Sequence, residues 1–281
     1  MGVFDKLERG LERAVKQPFA RIFKAEVQPV EIASAMRKAM DDRAAVLGPG
    51  RTMVPNVFSI ELAETDYERL SSYDRALTDE LGIVLIFDEV MTGFGRVGDR
   101  FAATRFGIKP DMITFAKGSS AAYIPLGGVM IREGLAQYFD DTALMIGHTY
   151  AGHPMAVAAG LATVTALKKE GLFERARQLD PILKAGLGAL KERHNVIGDV
   201  RGIGAFYTIE LVKDRDSKEP LVPWYGGDNS PMAKLVGALR SNGVYAFGRY
   251  NVLLVTPPLN IAESDINVGM EALDKALEVL A

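Results

Sequence analysis

The sequence has no cysteine among its 281 residues and only three histidines. The absence of cysteine excludes disulfides, thiolate metal ligands and a cysteine nucleophile. His148 and His153 are five residues apart and His194 is distant, so the histidines do not form a ligand set at metal-binding spacing. We therefore expect no metal site in this protein.

The chain also lacks a strong net charge and a long apolar run. Its net charge of -3 gives no electrostatic reason to expect a nucleic acid or an anionic membrane as a partner. The most apolar window, Met155 to Leu167, is too short to span a bilayer, and residues 1–6 do not form an apolar signal segment. The composition, 48% hydrophobic and 25% charged, is that of an ordinary globular protein, and we expect it to be cytoplasmic.

Residues 1–81 predict a charged block with the element order α-α-β-α. Apolar residues at helical spacing predict helices over residues 3–22 and about 30–45. Alternation over residues 58–62 predicts a half-buried strand, and a capping box that starts at Thr65 opens a third helix. No residues in this block cluster like a catalytic site.

The pattern changes at Gly82. Residues 83–87 are a continuous apolar run that ends at Asp88, as expected for a strand buried on both faces of a parallel sheet. A predicted helix over residues 154–168 is apolar on nearly all sides, so we expect it to be buried between layers. The elements between these two follow βαβ order, with a glycine-rich loop at 92–98, a helical stretch at 101–106 and strands at 112–116 and 128–131.

The C-terminal part of the sequence predicts a smaller α+β domain. Strands are expected at residues 207–211 and 252–256, and a last helix that begins near Ser264 points its apolar side chains inward. The expected fold class is α/β, with a mainly parallel sheet, a C-terminal α+β domain and the small N-terminal block. The expected domains are residues 1–81, 82–180 and 181–281.

Two predicted strand ends carry ionisable residues, Asp88 and, 29 residues later, Lys117. That separation is the length of one βαβ unit, so parallel neighbours would present both side chains at the edge where open α/β sheets bind ligands. Such a pair suits pyridoxal phosphate (PLP) chemistry: a lysine whose ammonium form is disfavoured is a nucleophile, and a carboxylate keeps the pyridine nitrogen protonated. On spacing alone, an ordinary ion pair or two solvated strand ends is the commoner explanation.

Five motifs over residues 82–281 resemble the class III aminotransferases, the ornithine and ω-amino acid family of PLP enzymes with fold type I. One motif alone would be a weak signal, but five in the family's order and spacing are a specific one. The motifs are DEVMTGFGR (Asp88–Arg96), PDMITFAKG (Pro110–Gly118), PLGGV (Pro125–Val129), HTYAGHP (His148–Pro154) and TPPL (Thr256–Leu259).

This resemblance implies an enzyme that moves an amino group from an amino acid or ω-amino compound to a keto acid such as pyruvate. It implies that Lys117 forms the Schiff base with PLP and then shuttles a proton. Asp88 would bind the pyridinium nitrogen, and Val90 would pack against the ring face. Thr149 would donate its hydroxyl to the phosphate of the cofactor in the neighbouring subunit, which implies a homodimer.

The substrate is poorly specified. Many members of the family carry an arginine that binds a substrate carboxylate where this sequence has Leu254, which leaves Arg201 and Arg249 as candidates for binding a substrate anion. An ω-amino acid, or a sulfonate such as taurine, paired with pyruvate is the expected substrate pair.

Other features have a plainer explanation. Residues 93–98 match the dinucleotide fingerprint G-x-G-x-x-G, but no acidic residue follows at the end of the next strand, so we do not expect a nicotinamide site. Glu89 is expected to be a structural hydrogen-bonding partner. Trp224 and Tyr225 are expected to cover an apolar surface rather than bind a ligand.

Residues 1 to about 80 resemble a second family, the N-terminal domain of bacterial proteins that end in a forkhead-associated (FHA) phosphothreonine-binding domain. The resemblance rests on the segments at 19–24, 26–33 and 48–51. Class III enzymes carry strands and a phosphate-binding helix N-terminus before the aspartate strand, and these motifs are not recognisable here, so we expect impaired activity. The alternatives are a non-catalytic interaction module in residues 1–81, or a nonfunctional fusion of two genes.

Overall fold

The structure is a computed structural model that describes residues 57–59, 75–76, 78–223 and 227–280. The chain divides into two compact units, one of Met1–Phe58 and Glu68–Leu85 and the other of Ser59–Tyr67 and Ile86–Ala281. Several sequence predictions lie outside the described residues: the helices over 3–22 and 30–45, the capping box at Thr65, and the surface role of Trp224 and Tyr225.

The first sheet contains four strands in the order β1-β2-β3-β4. Strands β2 and β3 are parallel, whereas β4 is antiparallel to β3. The connection from β2 to β3 contains a short helix, α1 (Ala102–Phe106), and is therefore the βαβ unit that the sequence predicted. The strands are β1 (Val57–Ser59), β2 (Val84–Asp88), β3 (Met112–Phe115) and β4 (Gly128–Ile131).

Strand β2 is less buried than its apolar sequence predicted. Leu85 is buried, but Val84, Ile86 and Phe87 are only half-buried, and Asp88 is exposed. The expectation that both faces of this strand are buried is therefore wrong. A continuous apolar run indicates that a strand can be covered on both faces, but it does not indicate that the same chain supplies both covering layers.

The second sheet contains five strands, in the order β5-β6-β9-β8 with β7 paired to β6. All of these pairings are antiparallel. The strands predicted at 207–211 and 252–256 correspond to β6 and β9. The bounds are β5 (Ile197–Ile203), β6 (Phe206–Asp214), β7 (Glu219–Pro220), β8 (Phe247–Arg249) and β9 (Val252–Val255).

Helices and the second sheet together form the main hydrophobic core. The predicted inward face of the last helix is confirmed, because Ile266, Leu273 and Leu277 are buried. The core also contains leucines of the long helix that precedes the sheet, among them Leu179 and Leu183, which are at most 1% exposed. The helices are α2 (Glu133–Ala136), α3 (Pro154–Lys169), α4 (Leu172–Arg193), α5 (Ser230–Ser241) and α6 (Glu263–Leu277).

Helix α3 was expected to be buried between layers, and the structure contradicts this. Ala156, Gly160 and Leu167 are buried, but Met155 is 68% and Leu161 is 69% exposed. An apolar surface around the whole helix indicates two contact faces, and only one of them is covered by the part of the chain that the structure describes. Within residues 78–223 and 227–280, no helix is long and apolar enough to cross a membrane.

Candidate active site

Asp88 and Lys117 lie at the same edge of the first sheet, as their spacing predicted. Asp88 is the last residue of β2 and lies opposite Thr114 of β3 in the parallel register. The backbone N–H of Glu89 donates to the Thr114 carbonyl at 2.9 Å, which continues the pairing to the end of the strand. Lys117 follows the end of β3 and begins a 3₁₀ turn. Parallel pairing therefore brings the carboxylate and the amine to adjacent strand ends.

The Asp88 carboxylate is held by the backbone that follows it. Its Oδ1 accepts a hydrogen bond from the Val90 N–H at 3.0 Å. Asp88 is exposed and Val90 is half-buried beside it. This contact restricts the carboxylate while leaving its second oxygen, Oδ2, for another donor.

Lys117 has an unusual backbone conformation. Its φ of 43° lies in the left-handed region, which costs about 1–2 kcal/mol for a residue with a Cβ atom. Its side chain is exposed. Strain of this kind persists only where surrounding contacts impose it.

An aromatic cluster supports the turn that carries Lys117. A Cβ atom at Gly118 would lie 2.8 Å from the Cβ of Phe94, which itself has a φ of 59°. The Phe94 ring packs edge-on against Phe101 and Phe115, with ring centroids 5.3 and 5.8 Å apart. The close approach of Gly118 to Phe94 thus connects the glycine-rich loop after β2 to the lysine turn after β3.

Glu89 is a structural residue, as predicted. It is 1% exposed, and its carboxylate accepts hydrogen bonds from the backbone N–H groups of Ala102 at 2.9 Å and Ala103 at 2.7 Å. The Thr92 hydroxyl donates to the same carboxylate at 2.5 Å. Glu89 therefore satisfies the unpaired N–H groups at the start of α1, where a negative charge also interacts favourably with the helix dipole.

Arg96 connects the glycine-rich loop to the second sheet and to the late TPPL motif. Its guanidinium donates to the carbonyls of Ala205 at 3.1 Å and Pro257 at 2.6 Å. Burial lowers the pKa of this guanidinium below its ordinary value. A Cβ atom at Gly95 would lie 2.9 Å from Leu259 of the same motif. The glycines of this loop therefore allow close packing between segments.

The remaining candidates differ in their surroundings. Thr149 lies in an exposed segment, residues 141–151. Arg201 is already paired, since its Nη1 contacts Asp199 at 2.9 Å and Glu210 at 2.7 Å. Burial alone would lower the pKa of Arg201, but Glu210 and Asp199 outweigh it, so its pKa lies above the ordinary value.

Because its charge is neutralised within the protein, Arg201 is a poor candidate for a substrate anion. Arg249 is exposed at the end of β8, and its guanidinium lies 4.8 Å from the centre of the Tyr250 ring. Its positive charge is therefore accessible to an anion from solvent. Among the described residues, no group of three or more histidine, aspartate or glutamate side chains could hold a metal ion.

Three residues near the site, Thr114, Arg96 and Phe94, were not predicted from the sequence. Thr114 lies within a predicted strand, but aligning the two strand ends would have placed Ala116 or Lys117 opposite Asp88, so only the observed register identifies it. Arg96 and Phe94 had no local signal, because their partners lie in segments that only the fold brings together.

Two family models match this chain. Aminotransferase class-III matches residues 68–277, and the FhaA N-terminal domain matches residues 4–89. The two matches overlap at residues 68–89, so the junction lies within both patterns. The first match includes every residue of the site described above.

The most similar curated relatives include two ω-amino acid aminotransferases. The 4-aminobutyrate aminotransferase GabT of Escherichia coli is 40% identical over 208 residues, which are 73% of this chain and 46% of the relative. The 5-aminovalerate aminotransferase DavT of Pseudomonas aeruginosa is 36% identical over 265 residues, which are 93% of this chain and 56% of the relative. This chain thus spans about half the length of the relatives it matches.

Solved structures agree on the fold. The taurine:2-oxoglutarate aminotransferase of Bifidobacterium kashiwanohense, solved in complex with PLP and glutamate, superposes with a TM-score of 0.72 at 38% identity. The superposition covers 74% of this chain and 47% of that one. The expected fold class, that of PLP-dependent transaminases of fold type I, is therefore confirmed.

We predict that Glu89→Gln lowers the free energy of unfolding by about 2 kcal/mol. The carboxylate accepts hydrogen bonds from two N–H groups at the start of α1, and in the variant an amide NH2, which is a donor, would face one of them. Urea unfolding followed by circular dichroism measures this. The control is Glu133→Gln, at an exposed glutamate in the first turn of α2, which should change stability by less than about 0.5 kcal/mol. Equal effects of the two changes would contradict the role given to Glu89.

We also predict that Gly118→Ala destabilises the protein by about 2 kcal/mol, because the new methyl group would collide with the Phe94 side chain, whose Cβ lies 2.8 Å away. Gly134→Ala is the matched control, since a Cβ atom at Gly134 meets nothing within 4 Å and lies in helix α2. That change should be neutral or stabilising by about 0.5 kcal/mol. Wild-type stability in Gly118→Ala would show that the Phe94 contact does not hold the lysine turn.

Proposed function

This chain belongs to the class III aminotransferase family, and from that premise we propose that it binds PLP and transfers amino groups at the sheet edge formed by β2 and β3. The observation that carries the proposal is the parallel register of these strands, which aligns the end of β2 with the segment that leads to Lys117. Asp88 and Lys117 are the groups on which the activity depends.

The residues at this edge suit PLP by their chemistry. The cofactor needs a carboxylate at its ring nitrogen and a primary amine at its aldehyde. Asp88 offers a carboxylate whose Oδ1 already accepts the Val90 N–H, and Lys117 offers an exposed amine on the neighbouring strand end. Both side chains are accessible from solvent, so the donor set and its accessibility fit the group.

Each residue has a distinct proposed role. Asp88 keeps a proton on the ring nitrogen by opposing its positive charge, and Val90 packs against the ring face. Lys117 would hold the cofactor through its amine, and the same amine would accept the proton from the substrate Cα. When bound, PLP supplies the electron sink that stabilises the resulting carbanion. Thr149 would donate its hydroxyl to the phosphate of the cofactor bound in the neighbouring subunit, so the working unit would be a homodimer.

We propose an ω-amino acid or a related amino compound as donor and a keto acid such as pyruvate as acceptor. The names of the relatives support this choice, since two of them act on 4-aminobutyrate and 5-aminovalerate and a structural neighbour acts on taurine. In each of these three donors a short carbon chain separates a primary amine from an anionic group. Arg249 remains a candidate for binding that anion.

A second function is favoured by the FhaA N-terminal domain match over residues 4–89. Residues 1–81 would then be an interaction module without catalytic activity, followed by the proposed domains at 82–180 and 181–281. The two functions separate in one measurement, because only the first requires a reducible covalent link between PLP and the protein.

We predict that borohydride treatment of the protein with PLP gives a stable pyridoxyl adduct on Lys117. Lys117→Ala should abolish the adduct, because the amine at the strand end is the attachment point. Lys109→Ala should retain it, since Lys109 is an exposed lysine in the loop before β3. Peptide mapping by mass spectrometry locates the adduct, and an adduct on another lysine would contradict the role proposed for Lys117.

We predict that Asp88→Asn still binds PLP but loses transamination by about 10²-fold or more, because a neutral amide does not hold a proton on the ring nitrogen. Amino transfer to pyruvate is measured as alanine formed per unit of bound cofactor. Asp140→Asn, at an exposed aspartate, is the control and should match the parent protein. Near-normal turnover in Asp88→Asn would show that another group opposes the ring nitrogen.

A further inference from the structure

Thr114 carries a buried hydroxyl whose role the fold does not explain. Its Oγ1 is inaccessible to solvent and has no hydrogen-bond partner within the described part of the chain. Leaving a buried polar group unpaired is unfavourable, so the great majority of such groups in native structures have a partner. The nearby buried hydroxyls of Ser119 and Ser120 show the usual outcome, since they donate to the carbonyls of Leu126 and Ile124. Thr114 Oγ1 is therefore an exception, and its hydroxyl has a free donor.

The parallel register identifies a partner for that donor. Thr114 is the residue directly opposite Asp88, and its own carbonyl accepts the N–H of Glu89 at 2.9 Å. Because side chains alternate between the two faces of a sheet, residues that are opposite in register lie on the same face. Adjacent strands are about 4.8 Å apart, a separation that a hydroxyl and a carboxylate can bridge. The Thr114 hydroxyl and the Asp88 carboxylate are thus neighbours on one face of the sheet.

The Asp88 carboxylate has capacity for this donor. Its Oδ1 accepts the Val90 N–H at 3.0 Å, whereas an ionised carboxylate can accept several hydrogen bonds on its two oxygens. Both side chains can rotate about χ1 between staggered positions. A hydroxyl bound to a carboxylate forms a short, charge-assisted hydrogen bond, which is stronger than a neutral one.

We propose that Thr114 is a positioning residue for Asp88: its hydroxyl donates to Asp88 Oδ2 and orients the carboxylate toward the ring nitrogen of the bound cofactor. This inference rests on the proposed PLP function and deepens it. Val90 and Thr114 then hold the two carboxylate oxygens from two different elements, the loop after β2 and strand β3.

Thr114→Val keeps the side-chain shape and removes the hydroxyl. We expect it to maintain or raise the stability of the protein but to weaken PLP binding. Without ligand, the variant should unfold at the same or a higher urea concentration than the parent, because an unpaired buried hydroxyl is replaced by a methyl group. With PLP, its dissociation constant should be about 10- to 100-fold higher, because the charge-assisted hydrogen bond is lost. A purely structural role would move both quantities in the unfavourable direction.

Two further variants complete the experiment, with urea unfolding and PLP absorbance titration applied to the full chain. Thr114→Ser should restore PLP affinity to within about threefold of the parent, because the hydroxyl returns. Thr208→Val, at a half-buried threonine in strand β6 of the second sheet, should leave PLP affinity unchanged.

Three results would overturn the inference, and they are distinguishable. If Thr114→Val binds PLP as tightly as the parent, the hydroxyl does not act at the site. If Thr114→Val lowers the urea midpoint while Thr114→Ser does not, the hydroxyl is already paired in the ligand-free fold. If the parent protein and every variant fail to bind PLP, the proposed function itself is wrong, and the role of Thr114 falls with it.

Discussion

The parallel pairing of β2 with β3 is the contact on which the site depends. It sets Asp88 opposite Thr114, and it aligns the loop after β2 with the turn that carries Lys117. A shift of one residue in this register would move the paired side chains to opposite faces of the sheet. The Asp88 carboxylate and the Thr114 hydroxyl would then no longer lie on one face of the sheet.

The loop after β2 maintains this edge through polar groups that are themselves buried. Burying a charge is unfavourable unless it is paired or hydrogen-bonded. Glu89 meets that condition at the start of α1, and Arg96 meets it by donating to Ala205 and Pro257. These partners are distant in sequence, so the family motifs DEVMTGFGR and TPPL are parts of a single packed structure. Gly93 and Gly95 of DEVMTGFGR are explained by close packing, since a Cβ atom at either position would lie within 3 Å of a neighbouring atom.

The exposed apolar side chains are concentrated in one stretch of the chain. Many of them lie between residues 123 and 161, including Tyr123, Met145, Tyr150 and Met155. A concentration of this kind favours association with another surface. The chain spans about half the length of its curated relatives, and the apolar faces of β2 and α3 were both expected to be covered.

The sequence by itself determined the family, the candidate pair Asp88 and Lys117, and most of the elements between residues 83 and 280, because periodicity, strand-end residues and motif order are local signals. It also identified Glu89 as structural. Only the tertiary structure decided that Arg201 is neutralised by Asp199 and Glu210, that Phe94 supports the lysine turn, and that Thr114 has an unpaired hydroxyl beside Asp88. The physical reason is that burial and hydrogen bonding depend on which distant segments meet. Apolar periodicity indicates that one face of an element is to be buried, but it does not indicate which segment buries it.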